Sequence, residues 1–114
     1  MNRLHNRDLG REGERKAVRY LKRRFYKILG VNVRTTCEMD IICQKNGVVC
    51  FVEVKTRESA RFGLPREAVT EERKRRYRTG ATAYLKQNGL LDARVRFDVI
   101  EILNGKITHI KDAF

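Results

Sequence analysis

Residues 38–55 read EMDIICQKNGVVCFVEVK. Two apolar runs flank Asn46-Gly47, a dipeptide favoured where both central residues of a hairpin turn take left-handed backbone. A two-residue turn there pairs Lys45 with Val48 and fixes the register outward. Cys43 then faces Cys50, Ile41 faces Val52 and Met39 faces Val54, giving an apolar face that must be buried. The other face sets Gln44 against Val49, Ile42 against Phe51, Asp40 against Glu53 and Glu38 against Lys55. Asp40, Glu53 and Lys55 therefore project together past an apolar floor. Directly opposed like charges weaken a sheet. Two unit charges about 4 Å apart cost roughly 4 kcal/mol at an effective dielectric of about 20. A chain this rich in Lys and Arg had cations to place there instead, so the broken rule points to function. The usual relief is a divalent cation: Mg²⁺ takes oxygen ligands, often one or two carboxylates with water and phosphate.

Working outward, three strand-like runs cover about residues 27–34, 38–44 and 48–56. A helical pattern precedes them over about residues 10–26, after a ragged start. Ala17, Val18, Leu21 and Phe25 form its inward stripe. A second helix is expected from Pro65, the only proline, to about residue 87. A strand follows over residues 94–103, then Asn104-Gly105 and a last strand over 106–110. The order is α-β-β-β-α-β-β in one domain spanning residues 1–114. A helical crossover between the third and fourth strands predicts an α/β fold, a mixed β-sheet flanked by helices.

The chain has 114 residues, with 26 Lys plus Arg against 14 Asp plus Glu and a net charge of +12. That excess favours a polyanionic partner: DNA, RNA or an acidic surface. No apolar run approaches the ~20 residues that span a bilayer, and the basic start MNRLHNRDLGREGERK lacks the apolar core of a signal peptide. A cytoplasmic protein with no membrane partner is expected. Cys37, Cys43 and Cys50 lack CxxC spacing and are odd in number, so reduced, structural cysteines are expected rather than disulfides or zinc.

Gly10, Gly13, Glu14, Ala17 and Leu21 share one face of the first helix, the face that packs inward. Glu14 is thus aimed at the sheet, while Glu12 and Arg15 look solvated. The bland alternatives stay open at this level. Glu38 and Lys55 form a simple cross-strand ion pair, Asp40 bonds locally, and Glu14 pairs with an arginine. In the second helix, ERKRRYR spreads Arg73, Lys74, Arg75, Arg76 and Arg78 over several faces. Val69, Tyr77, Gly80, Ala81 and Tyr84 mark its buried stripe, and Arg73 stands one turn before Tyr77. The loop RESARFGLP carries Arg57 and Arg61 directly after Lys55 and is a candidate clamp, with Phe62 as an aromatic for stacking or packing. Such basic clusters suit phosphates without reading sequence. A solvated charged helix is the plain alternative. His5, His109 and Asp98 are expected to be structural or solvated.

The pattern of an Asp, a dozen residues, then E-x-K resembles the PD-(D/E)xK nuclease superfamily. The chain as a whole resembles its YraN-type branch, described as Holliday-junction-resolvase-like predicted endonucleases. GREGERKAVRYL, CEMDII, FVEVKTR, FGLPREAV, RFDVIEI and ITHIKDAF carry the likeness, in family order and across nearly the whole chain. Cys37 stands where many relatives have glycine. The resemblance implies a restriction-endonuclease-like core and a catalytic set of Asp40, Glu53 and Lys55 with Glu14 as the helical glutamate. It leads to Mg²⁺ or Mn²⁺ held by Asp40, Glu53 and the Val54 carbonyl, with Lys55 and Glu14 at the attacking water. Arg57, Arg61, Arg73, Lys74 and Arg76 are the candidate nucleic-acid contacts, with DNA the expected partner. Junction cleavage cuts two strands symmetrically and would require a homodimer. The competing readings are a non-catalytic DNA- or RNA-binding module that keeps the fold, and a basic adaptor for an acidic protein.

Overall fold

In the computed structural model of the chain, which describes residues 3–57 and 69–114 with side chains from residue 10, Asn46 and Gly47 both take left-handed backbone (φ 52° and 77°). Asn104 and Gly105 repeat the device (φ 50° and 81°). The elements are α1 (Arg3–Arg23), β1 (Lys27–Arg34), β2 (Glu38–Lys45), β3 (Val48–Arg57), α2 (Glu71–Gln87), β4 (Arg94–Leu103) and β5 (Lys106–Ile110), in the order the sequence predicts. They build a five-stranded sheet ordered β1-β2-β3-β4-β5. β1, β2 and β3 are antiparallel, β3 and β4 run parallel across the α2 crossover, and β5 returns antiparallel. This is the expected mixed α/β architecture. No described helix is long and apolar enough to cross a membrane.

The sheet carries a core on each face. Ala17 and Leu21 of α1 pack on Ile41, Cys43, Cys50, Val52, Ile100 and Ile102. Tyr77, Ala81 and Leu85 of α2 pack on Met39, Ile42, Val49 and Phe51. The three cysteines are free and buried, and Cys43 faces Cys50 as the turn dictates.

Helix α1 starts earlier than the sequence pattern predicts, at Arg3, and ends earlier, at Arg23. The end is a left-handed stop: the Tyr26 N–H donates to the Leu21 carbonyl at 3.0 Å while Phe25 takes φ 68°. Phe25 was expected on the inward stripe. The stop turns it out of the helical period, and it is 86% exposed. Its neighbour Tyr26 takes the buried place. Helix α2 is capped by the Thr70 side chain, which accepts from the Arg73 N–H at 3.1 Å. The expected helix start at Pro65 lies outside the described residues, as do Arg61 and Phe62.

Gly13 lets α1 touch the sheet. A Cβ there would stand 2.0 Å from Thr56 Oγ1 and 3.3 Å from Thr56 Cβ. Glycine-to-alanine changes inside helices normally stabilise by up to ~1 kcal/mol. Here the sign reverses: Gly13→Ala overpacks the contact and costs about 1–3 kcal/mol. Gly10 has open space around it, so Gly10→Ala gives the ordinary gain. Urea denaturation of the two variants reads both signs, and a stabilised Gly13→Ala would show that the contact yields freely.

Candidate active site

Backbone pairing of β2 with β3 runs from Lys45–Val48 to Ile41–Val52 and ends there. The first five pairs are those the turn predicts. The further pairs expected at Met39–Val54, Asp40–Glu53 and Glu38–Lys55 are not part of the ladder. The cause is a reversal of facing. Ile41 packs on the α1 side of the sheet, whereas Met39, two residues earlier, packs on the α2 side. On β1 the residues pairing with them are Val31 and Val33, and Asn32 between them takes left-handed backbone (φ 53°). Alternation fails across this step, and Asp40 sits on it.

Where the ladder ends, side chains take over its bonding. The Val54 N–H donates to Asp40 Oδ2 at 2.8 Å. The Tyr77 hydroxyl accepts from the Asp40 N–H at 3.2 Å and donates to the Val52 carbonyl at 3.3 Å. Burial, then the negative charges of Asp40 and Glu53, push the Tyr77 phenol well above its ordinary pKa, so it keeps the proton it donates.

Glu53 is buried, 4% exposed, on the α2 side. The Arg73 Nε donates to its Oε2 at 2.9 Å, and a second Arg73 nitrogen donates to the Glu38 carbonyl at 3.0 Å. The guanidinium also lies over the Tyr77 ring, 4.9 Å from its centroid. Arg73 thus reaches the acids, as its place one turn before Tyr77 implies. Burial lowers its pKa, but the bond to Glu53 and the charges of Glu53, Tyr77 and Asp40 together outweigh that and the net direction is up.

Asp40 and Glu53 are close enough to share a hydrogen bond. Burial, that bond and the Glu53 charge push the Asp40 carboxyl up to about 9, with the charge of Glu14 adding to the rise. The Glu14 carboxylate on α1 is held by the Asn32 side chain, which donates to its Oε2 at 2.9 Å. Lys55 is half-buried two residues beyond Glu53. The alternative Glu38–Lys55 ion pair does not form; the Glu38 carboxylate lies 3.9 Å from Arg34. The structure brings Asp40 and Glu53 together and keeps Glu14 near by charge. Among the described residues no three His, Cys, Asp or Glu side chains form one ready metal cage.

The donor chemistry nonetheless suits a hard cation. Two adjacent carboxyls are two oxygen donors already brought together, the ligand type that Mg²⁺ or Mn²⁺ takes. Arg73 occupies Glu53 Oε2 and Val54 occupies Asp40 Oδ2, leaving each carboxylate a second oxygen.

Three of the other candidate nucleic-acid contacts are held by acids. Lys74 pairs with Glu71 at 3.1 Å and Arg76 with Glu72 at 2.7 Å. Arg57 donates through Nε to Glu101 Oε2 at 2.7 Å in a nearly buried pair. Arg73, Arg75, Arg76 and Arg34 line a cleft of ≈ 420 Å³ on the α2 side of the acids. Asn32 and the Tyr77 hydroxyl were missed by sequence reasoning. An asparagine inside the apolar run of β1 was the available signal for the first. Nothing in the spacing distinguishes the second from an ordinary core tyrosine. Asp98 and His109 are structural, as expected. His109 Nε2 lies 2.8 Å from Asp98 Oδ2, Arg96 donates to both Asp98 oxygens, and the Asp112 N–H donates to Oδ1 at 3.0 Å.

Comparison with known proteins places this geometry in a family. The model of a family described as "Uncharacterised protein family UPF0102" matches residues 13–102. A UPF0102 protein of Syntrophomonas wolfei is 44% identical over 114 residues, covering 96% of this chain and 99% of the relative. One from Persephonella marina is 42% identical over 106 residues, covering 92% and 91%. One from Geobacter metallireducens is 45% identical over 116 residues, covering 97% and 95%. The matched span runs from the helical close approach at Gly13 through both acid-bearing strands, and the chain belongs to the UPF0102 family, the YraN-type proteins.

Proposed function

We propose that the protein is a divalent-metal-dependent endonuclease that hydrolyses phosphodiester bonds in DNA, with branched or junction DNA as the leading substrate. The observation that carries this is the Asp40–Glu53 carboxyl pair where the hairpin ladder ends, Asp40 held by the Val54 N–H and Glu53 by Arg73. A protein that used these residues only for packing would have no reason to bury two acids against each other.

In this reading Asp40, Glu53 and the Val54 carbonyl hold Mg²⁺ or Mn²⁺. Such an ion, when bound, offsets charge on the phosphoryl oxygen and acidifies water. The rest falls to the chain. The Val54 N–H and the Tyr77 hydroxyl fix the Asp40 side chain and backbone. Arg73 holds Glu53 in one orientation. Glu14, steadied by Asn32, orients the attacking water. Lys55 stabilises the negative charge that builds at phosphorus.

The second reading, a nucleic-acid-binding module without catalysis, draws support from the proton that Asp40 retains at neutral pH and from the missing third acid in the pair. The two separate in one experiment. Purified protein is incubated with linear, nicked, flap and four-way DNA in Mg²⁺ or Mn²⁺, beside Asp40→Asn and Lys55→Ala. Cleavage by the wild type, reduced at least 100-fold in both variants, is the expected result. Binding to every substrate with no cleavage in either metal would give the function to the binding module.

A further inference from the structure

A groove of ≈ 660 Å³ runs between α1 and the edge strand β1. Arg11, Arg15, Arg19 and Lys22 line its helical wall, Val31 lies on the strand side, and Glu14 lines it too. Three features make it a candidate binding surface.

The first is charge that remains unneutralised. Arg57, Arg73, Lys74, Arg76 and Arg96 each have a carboxylate partner. Among the described residues none of the four groove cations is paired with an acid. The second is spacing. Arg11, Arg15 and Arg19 follow one another at four-residue steps, about 6 Å each along a helix. They form a single file, which matches one phosphate backbone rather than the two of a duplex. The third is an aromatic. Phe25 lies just past Lys22 in the chain, in the left-handed position usually given to glycine, and is 86% exposed. A bulky apolar side chain held outward on costly backbone, beside cations, is the arrangement that stacks on an unpaired base. Val31, 42% exposed, adds an apolar patch to the groove.

We infer that the α1–β1 groove binds one unpaired strand of nucleic acid. Its phosphates lie on Arg11, Arg15, Arg19 and Lys22, a base stacks on Phe25, and the strand leads past Glu14 toward Asp40. The inference rests on the nuclease reading for its direction and deepens it: the substrate carries a single-stranded segment beside the cut, as flaps, gaps and opened junctions do.

The test is metal-free binding of full-length protein, in chelator, to a short fluorescent oligothymidylate and to a blunt duplex of equal length, over a range of salt. The oligothymidylate is expected to bind more tightly. Arg15→Gln with Arg19→Gln weakens it and lowers the magnitude of the log-affinity against log-salt slope by about 1.4, two phosphates at ~0.7 each. Phe25→Ala weakens binding roughly tenfold with the slope unchanged. Unaltered affinity and slope in the double variant overturn the groove. So does a duplex preference in the wild type, or binding to phosphatidylserine vesicles with none to the oligothymidylate. These outcomes are independent of the nuclease reading. Wild-type cleavage that disappears in Asp40→Asn, together with unchanged binding by the groove variants, would sink the groove alone.

Discussion

Asp40→Asn is expected to make the metal-free protein more stable while abolishing metal-dependent cleavage. The Asp40 carboxyl is pushed up to about 9 by burial and by Glu53, whereas in the unfolded chain it titrates near 3.9. Between those values the unfolded state has released a proton that the folded state still holds. Stability therefore declines as pH rises from about 4 to about 9, and the wild type bears a growing penalty across that range. Asparagine has the shape of the protonated acid. Its oxygen accepts from the Val54 N–H and its amide donates to Glu53. In chelator at pH 8 the variant should gain about 1–2 kcal/mol, or roughly 5–10 °C in Tm. The gain should shrink toward pH 4. Thermal melts of both proteins across pH measure it. A pH-independent difference would mean that Asp40 ionises freely in the fold.

Asp98→Ala should be the most damaging single change away from the acids. Asp98 is fully buried, accepts from two Arg96 nitrogens and from the Asp112 N–H, and lies against His109 Nε2. Arg96 also donates to the Tyr26 hydroxyl at 2.8 Å, and the Tyr20 hydroxyl meets His109 Nδ1 at 3.3 Å. The network therefore ties β4, β5 and the end of the chain to α1. Burial raises the Asp98 pKa, but hydrogen bonds from His109, Arg96 and the Asp112 amide outweigh it and the net direction is down. Its contribution is fully present above the ordinary carboxylate range and is lost as pH falls through the lowered value. Truncation leaves Arg96 without its anion and should cost about 3–5 kcal/mol. Urea denaturation at pH 7 reads the loss. A cost below about 1 kcal/mol would show that the partners find other bonds.

Much of the fold was legible because its cues are local. Asn46-Gly47 and Asn104-Gly105 set two turns, and the first set five pairs of register correctly. Alternation gave β4 and β5 to the residue. The acids were found as a rule broken in plain view: Asp40 and Glu53 do meet, though through their side chains rather than across a ladder. What stayed hidden depends on contacts that no period encodes. The change of facing between Met39 and Ile41 defeats a strict parity rule. Phe25 reads as helical core until the Tyr26-to-Leu21 bond ends the helix. The Tyr77 hydroxyl enters the site from 37 residues away. Arg57, placed beside Lys55 by sequence, turns to Glu101 because the neighbouring parallel strand sets that acid within reach.

The irregular course of β1 has a consequence for how copies of this protein meet. β1 is one margin of the sheet. A strand margin with free backbone groups invites a second chain to add on, the route to aggregation. The register slips between Ile28 and Gly30, and Asn32 bends the strand again two residues before its end. A foreign strand cannot follow that path for more than a few residues. The other margin, β5, is only five residues long. The same bend that delivers Asn32 to Glu14 thereby leaves this margin a poor template for backbone addition.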